Sequence, residues 1–460
     1  MLTQWVSQLD DWMYTWILMF LLTGAGAYFS IRTGFVQLRR FPDALRALAQ
    51  KPKGEKQITP FRALMVSTAS RVGIGNIAGV STAIALGGAG SVFWMWLLAI
   101  LGGASSFMES TLGQLYKVRD GDVCRGGPSY YIDKGLHSKT WAKVFGIFLV
   151  LTCGFGGNAL QAYNIMDALR YYVPASLGMK LAVGLVLTVL CIAAISGGSY
   201  RISRISSVIV PVMAGLYLLL SLTVVALHIQ ELPGLFREIF RQAFDFQAIF
   251  GGFTGSCMVY GMKRGLFSNE AGMGSAPNAT SSAETDHPVS QGLSSVVSVF
   301  IDTILICTAT ALILLIYDGG GNAALKGVPY VQQALASQFG QAGIAFLTLA
   351  IFLFAFTSII GNYFYAENGL RYLTRNPKLL KLFRSSVFIM VFFGAQMSFE
   401  LAWGLADVFM GCMTIINLIA VFRLRKQVYT CLENYERQRK AGLSPVFRAK
   451  DTDIAGTECW

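Results

Sequence analysis

The chain has 460 residues, 54% of them hydrophobic and 13% charged, and a formal net charge of +12. Soluble domains carry about a quarter charged residues, so this composition excludes an ordinary soluble fold. The positive charge does not point to nucleic acid, because Lys and Arg gather at alternate ends of long apolar runs, a pattern that reports membrane topology.

Taken in chain order, the apolar runs predict eleven spans: 13–31, 61–87, 90–116, 141–172, 178–197, 203–228, 246–283, 293–317, 341–370, 384–398 and 400–422. The first lacks a basic leader and a small-residue cleavage site, and is expected to be a membrane helix, not a signal peptide. Basic residues follow the odd-numbered spans. Arg39, Arg40 and Arg46 follow the first, Lys117 and Arg119 the third, Arg201 and Arg204 the fifth, Arg371 and Lys378 the ninth, and Arg423 and Lys426 the last. The positive-inside rule makes that side cytoplasmic, with the N-terminus outside and the basic tail, 423–460, inside. This arrangement fits a bacterial cytoplasmic membrane. The eight cysteines show no CxxC and most lie in apolar runs, so buried free thiols are expected. The three histidines lie far apart, and no metal chemistry is expected beyond a bound cation.

Two spans are interrupted. The second contains Arg71-Val72-Gly73-Ile74-Gly75-Asn76-Ile77-Ala78-Gly79, and the seventh Arg264-Gly265-Leu266-Phe267-Ser268-Asn269-Glu270-Ala271-Gly272. Glycine and polar clusters at membrane depth break a helix, and the freed backbone groups must face protein, ligand or a wet cavity. Close packing of helices through small residues is the other reading. Both segments contain Asn-x-Ala-Gly, and they lie five spans apart. An odd offset reverses orientation, so the two halves read as an inverted repeat whose broken helices mark a midplane binding site.

The fourth span carries Asn158, Gln161, Asn164 and Asp167 at spacings of three, a stripe expected to face the bundle interior. Gln161 and Asn164 are candidate site-wall residues, with interhelical bonding the alternative. Glu109, Glu270, Asp302 and Glu367 also lie at apparent membrane depth, and a structural pairing of Arg71 with one of them is expected. The ninth span reads Phe354-Ala355-Phe356-Thr357-Ser358; its adjacent hydroxyls can take a cation or bond their own helix.

The stretches VGIGNIAGV, GGAGSVFWMW, RGGPSYY and RGLFSNEAGMGS together resemble the alanine or glycine:cation symporter family, and the resemblance covers nearly the whole chain. It implies an all-α polytopic membrane protein with a leucine-transporter-type core of five plus five helices, preceded by one extra helix. The first repeat is then 61–228 and the second 246–422, with 1–60 holding the extra helix and a basic loop. The implied activity is symport of a small neutral amino acid, alanine or glycine, with sodium and no other cofactor. A zwitterion needs donors for its carboxylate and acceptors for its ammonium. The N–H groups around Gly75 and Asn76, freed by Gly73 and Gly75, are expected to hold the carboxylate. The carbonyls around Phe267 and Ser268, with Asn269 beside them, are expected to hold the ammonium. For sodium the resemblance implies the carbonyls of Ala69, Val72 and Phe354 with the hydroxyls of Thr357 and Ser358, all neutral oxygens that suit a hard cation.

Two residues depart from the family pattern. Ile74 stands where many members have Thr or Ser, and Asn362 where many have a Trp that closes a small pocket. Asn362 is therefore placed at the substrate site and is expected to leave free volume there. A proton-coupled carrier, or one that also accepts serine or glutamine, is the alternative. A passive channel lacks its continuous polar pore, and an intramembrane enzyme its nucleophile–base pair.

Overall fold

The computed structural model describes residues 2–49, 58–121, 123–174, 176–245, 256–319 and 325–460. The first ten residues of the expected seventh span, 246–255, lie outside them. The chain is almost wholly helical; the only sheet among the described residues is the hairpin of Val118–Asp120 with Val123–Arg125.

Among the described residues, eight helices are long and apolar enough to cross a membrane, including Gly90–Leu115, Leu177–Ile195, Gly198–Leu227 and Phe399–Arg423. The other three expected spans fall on the two interrupted helices and on Pro377–Gly394, whose first turns carry Lys378, Lys381 and Arg384. Leu185, Val189, Val208, Val212 and Leu219 point outward from two of the spans. Such exposed apolar surface is suited to lipid.

The first interruption has a clear start and stop. Thr59 caps the helix Pro60–Arg71 by accepting the N–H of Arg62 at 3.1 Å, with Pro60 in the first turn, where no donor is needed. Helical geometry is lost at Val72 and Gly73, a short turn spans Ile74–Asn76, and Ala78–Gly87 resumes. The second interrupted helix, Cys257–Asn269, is capped by Ser256, which accepts the Val259 N–H at 3.3 Å. It stops at Glu270, which adopts a left-handed φ of 51°, and Gly272 and Gly274 follow at +83° and +85°. Two glycines at positive φ let the chain turn there at little steric cost.

Gly90–Leu115 and Pro288–Val299 pack behind both interruptions. Close approach requires glycine at Gly292, where a β-carbon would lie 2.1 Å from Thr111 Oγ1. Among the described residues, three helices carry π-turns, at Tyr14–Leu18, Val150–Gly156 and Phe300–Cys307. Such turns widen a helix locally and re-aim its side chains. The last two place Thr152, Cys153 and Asp302 against the broken helices. The basic tail, 423–460, begins with the helix Arg425–Lys440, tied to the loop after the first span by Arg39–Glu436 and Arg439–Asp43.

Candidate substrate and cation site

The two interruptions meet face to face. A β-carbon on Gly75 would stand 2.8 Å from the Phe267 ring and 3.4 Å from the Ser268 backbone. Asn76 accepts the Gly73 N–H at 3.1 Å, and its amide donates to the Asp302 carboxylate at 2.7 Å and to the Asp302 carbonyl at 3.0 Å. Ser268 donates to the other Asp302 oxygen at 2.5 Å. A single buried carboxylate therefore ties both breaks together. Asp302 stood out in the sequence only as an acid at membrane depth; its place between the breaks follows from the π-turn.

A cavity of about 30 Å³ lies at this junction, lined by Ser70, Gly75, Gln161, Phe267, Glu270 and Asn362, with Met273, Ala406 and Met410 on its apolar side. Gln161 Oε1 and Thr152 Oγ1 are buried without a protein partner. Ser70 donates to Asn362 Oδ1 at 2.6 Å and lies 3.2 Å from Glu270 Oε1. The carbonyls at the end of Cys257–Asn269 sit at the negative pole of that half-helix, and the backbone after Val72 has left helical pairing. The cavity thus offers acceptors on one wall and backbone on the other. Asn362 lines this cavity as expected of its position, with its side chain held by Ser70 and its amide 3.0 Å from the β-position of Gly157.

The proposed cation ligands adjoin this cavity. Ser358 Oγ donates to the Ala69 carbonyl at 2.9 Å, joining two helices 289 residues apart in sequence. Thr357 Oγ1 bonds the carbonyls of Leu353 and Phe354 at 3.0 Å each, within its own helix. Val72 N–H takes the Thr68 carbonyl at 2.7 Å, which leaves the Val72 carbonyl at the frayed end. Gly73 connects the two sites: its β-carbon would lie 2.4 Å from Ser358 Oγ and 3.4 Å from Gln161 Nε2.

Not every expected residue converges. Asn164 donates to the Leu160 carbonyl of its own helix at 2.8 Å and does not line the cavity. Asn269 Oδ1 accepts the Ala271 N–H at 2.9 Å, so that side chain braces the turn. The expected pairing of Arg71 needs correction. Its guanidinium donates to Ser106 Oγ at 3.1 Å and to the Ser295 carbonyl at 3.4 Å, and among the described residues it has no carboxylate within 4.0 Å. The acids find other donors. Glu109 accepts from the N–H groups of Gly272 and Gly274 and from Asn417, at 3.3, 3.0 and 2.7 Å. Glu367 pairs with Arg371 at 2.9 Å.

One feature above the cavity escaped the sequence reading. Phe267 packs on Trp403 at 5.0 Å, and Arg264 lies 4.3 Å over the Trp403 ring while pairing with Asp407 at 2.6 Å. Lys263 beside it pairs with Asp10 of the N-terminal helix. Two adjacent cations inside an apolar span demand buried partners, and that was the available signal. Removing one member of a buried pair strands the other charge, at about 3–5 kcal/mol. Lys263 lies 3.7 Å from Asp407 and offsets part of this loss. Arg264→Ala is therefore expected to destabilise toward the low end of that range, and Arg264→Ala/Asp407→Ala to recover much of it. Thermal unfolding in detergent reads both, and a double variant no more stable than the single contradicts the coupling.

Comparison with known proteins agrees with this geometry. Residues 1–449 match the family model described as the sodium:alanine symporter family. The amino-acid carrier protein AlsT of Bacillus subtilis is 44% identical, with 98% of this chain and 95% of AlsT covered. The probable sodium/glutamine symporter GlnT of the same organism is 42% identical, with 98% and 94% covered. The crystal structure of MhsT in complex with L-phenylalanine superposes with a TM-score of 0.53 at 14% identity, over 79% of this chain and 89% of MhsT. That likeness carries the leucine-transporter-type fold. With two broken helices meeting at a small cavity, eight apolar spans among the described residues and a family match over nearly its whole length, the chain belongs to the sodium:alanine symporter family.

Proposed function

We propose that this multi-pass membrane carrier imports alanine or a similarly small neutral amino acid together with sodium, by alternating access. The observation that carries the reading is the seam at Gly73, where the cavity wall at Gln161 and the Ser358–Ala69 contact are separated by less than a side chain. Substrate and cation bound there share one piece of unwound backbone, so each stabilises the geometry the other needs. Gly75, Phe267, Gln161 and Asn362 form the substrate wall, and freed backbone near Gly75 receives the carboxylate. The carbonyls at the end of Cys257–Asn269 receive the ammonium. Asn76, Ser268 and Asn269 act one step back, holding the two breaks in register through Asp302 and the Ala271 turn. Sodium is assigned to the carbonyls of Ala69, Val72 and Phe354 with Thr357 and Ser358.

The repeats proposed at 61–228 and 246–422, and the eleven spans they require, set the orientation. A cysteine replacing Lys378, in a background without the native thiols, is expected to react only from the cytoplasmic side, and one replacing Gly319 only from outside. Labelling of both from one face contradicts the eleven-span arrangement.

A broader substrate range is the second reading, favoured by the likeness to GlnT. Competition for radiolabelled alanine uptake by unlabelled glycine, serine and glutamine separates the two. The small cavity of about 30 Å³, walled by Phe267, Met273 and Met410, suits a short side chain. An added methylene is worth about 1–3 kcal/mol in such a pocket, so glutamine, with its longer chain, is expected to compete least, and serine, which adds only a hydroxyl, less than alanine but more than glutamine. Competition by glutamine as strong as by alanine overturns the small-substrate reading in favour of the broader one.

A further inference from the structure

The extra N-terminal helix stands outside both proposed repeats, so the five-plus-five core gives it no task. It nevertheless reaches the outer half of the second interruption. Leu2–Met13 packs along Phe399–Arg423, closely enough that a β-carbon on Gly404 would lie 2.7 Å from Val6 Cγ1. From there Asp10, only 5% exposed, pairs with Lys263 of Cys257–Asn269. The Lys263 ammonium also sits 5.2 Å from the centre of the Tyr14 ring, one turn further along the N-terminal helix.

Lys263 has two further carboxylates in reach. Asp407 and Asp11 each place an oxygen 3.7 Å away, the first buried and the second on a side chain that is 61% exposed. Arg264 holds Asp407 and covers Trp403, on which Phe267 of the cavity wall rests. Bonding within this cluster is incomplete: Asp10 Oδ1, Asp407 Oδ1, and Nε and Nη1 of Arg264 are buried without a protein partner. Charges at this depth must stay paired. A fully bonded network would be rigid, whereas one with spare donors and acceptors can exchange partners without stranding a charge. For the cavity to open outward Phe267 must move, and Lys263, one turn earlier on the same helix, must move with it. The pairing that resists this movement is the one with Asp10.

We propose that Asp10 of the N-terminal helix latches the outer half of the second broken helix over the cavity, and that Lys263 passes from Asp10 to Asp11 when the cavity opens to the outside. Asp11 is the next residue along and faces solvent, so Lys263 meets it on the way out and remains paired. Asp10 acts on the substrate site through Lys263 and Phe267, as a positioning residue. The N-terminal helix is then a working part of the carrier. This inference rests on the alternating access proposed above and names the residues that set its balance.

The test reads opening directly and needs no transport. Ala406→Cys, in a full-length background without the native thiols, places one thiol on the cavity wall. Right-side-out membrane vesicles holding this parent protein are treated with a membrane-impermeant thiol reagent, without alanine, and the labelling rate is measured. Asp10→Asn keeps the shape of the latch but not its charge. It is expected to raise the rate about five-fold or more, because a charged hydrogen bond lost from the closed state alone shifts the balance toward the open one. Asp10→Glu is expected to return most of the parent rate. Asp11→Asn removes the open-state partner and is expected to lower the rate. A loosened fold would raise labelling in every variant, so the opposite signs identify the exchange. Asp11 is exposed, and its variant tests the exchange even where Asp10→Asn fails to fold. An unchanged or lower rate in folded Asp10→Asn overturns the latch, and a rate in Asp11→Asn at or above the parent's overturns the hand-over. Absence of labelling throughout overturns both. If labelling follows the expected pattern while the wild type moves no alanine with sodium, the proposed function fails alone and the latch stands.

Discussion

Gly75→Val is expected to abolish uptake while leaving the protein folded. A β-carbon there would sit 2.8 Å from the Phe267 ring, which is itself pinned on Trp403 at 5.0 Å, and 3.4 Å from the Ser268 backbone. Valine adds two further carbons into a cavity of about 30 Å³. The rings cannot swing away without losing the Arg264–Asp407 lid, so the two breaks must separate. A displacement near 1 Å at a binding site costs on the order of a hundred-fold in rate, and the loss is expected to reach that size. Gly75→Ala, with one added carbon, is expected to fall between. Monodisperse Gly75→Val protein that still takes up alanine at near wild-type rates removes Gly75 from the cavity wall.

The second large effect concerns sodium. Thr357→Ala/Ser358→Ala removes two of the five assigned neutral ligands and the bond from Ser358 to the Ala69 carbonyl. A hard cation is held by the number of its oxygen contacts, and alanine offers none to replace them. The sodium concentration for half-maximal uptake is expected to rise about ten-fold or more, equivalent to about 1.4 kcal/mol or more of lost binding. The maximal rate at saturating sodium should fall less. Losing one buried hydrogen bond also costs about 1 kcal/mol of stability, so expression and unfolding are measured alongside. Unchanged sodium dependence in well-folded double variant excludes these hydroxyls from the site.

Much of this arrangement is legible in the sequence, because membrane depth makes polar and glycine residues conspicuous. The breaks at Gly73–Asn76 and Glu270–Gly274 were visible as glycine and polar clusters inside apolar runs, and the structure breaks both helices there. Thr357-Ser358 was visible as a hydroxyl pair, and the structure sets Ser358 against Ala69. Spacing alone was a weaker guide. Asn158, Gln161 and Asn164 recur every three residues, yet a helix turns every 3.6 and the stripe drifts, so that Gln161 reaches the cavity while Asn164 bonds its own backbone. Arg71 shows the limit most plainly. An intramembrane cation needs partners, but its direct hydrogen bonds can go to a serine hydroxyl and a carbonyl, and only the three-dimensional neighbours tell which. The same holds for Asp302, whose reach to both breaks depends on a π-turn that no periodicity announces. Asn362 was read as leaving free volume; it lines the cavity, and its bond to Ser70 could not be foreseen from the sequence.

The central claim is that alanine moves uphill because sodium moves downhill beside it. Purified protein in liposomes, given an inward sodium gradient and radiolabelled alanine, tests it most directly. One net charge moved through 100 mV is worth about 2.3 kcal/mol, or nearly fifty-fold accumulation before the sodium gradient is counted. The expected result is alanine concentrated above the external level, enhanced by an inside-negative potential and abolished when sodium is replaced by choline. Alanine that only equilibrates across the bilayer, or accumulates equally without sodium, contradicts the account.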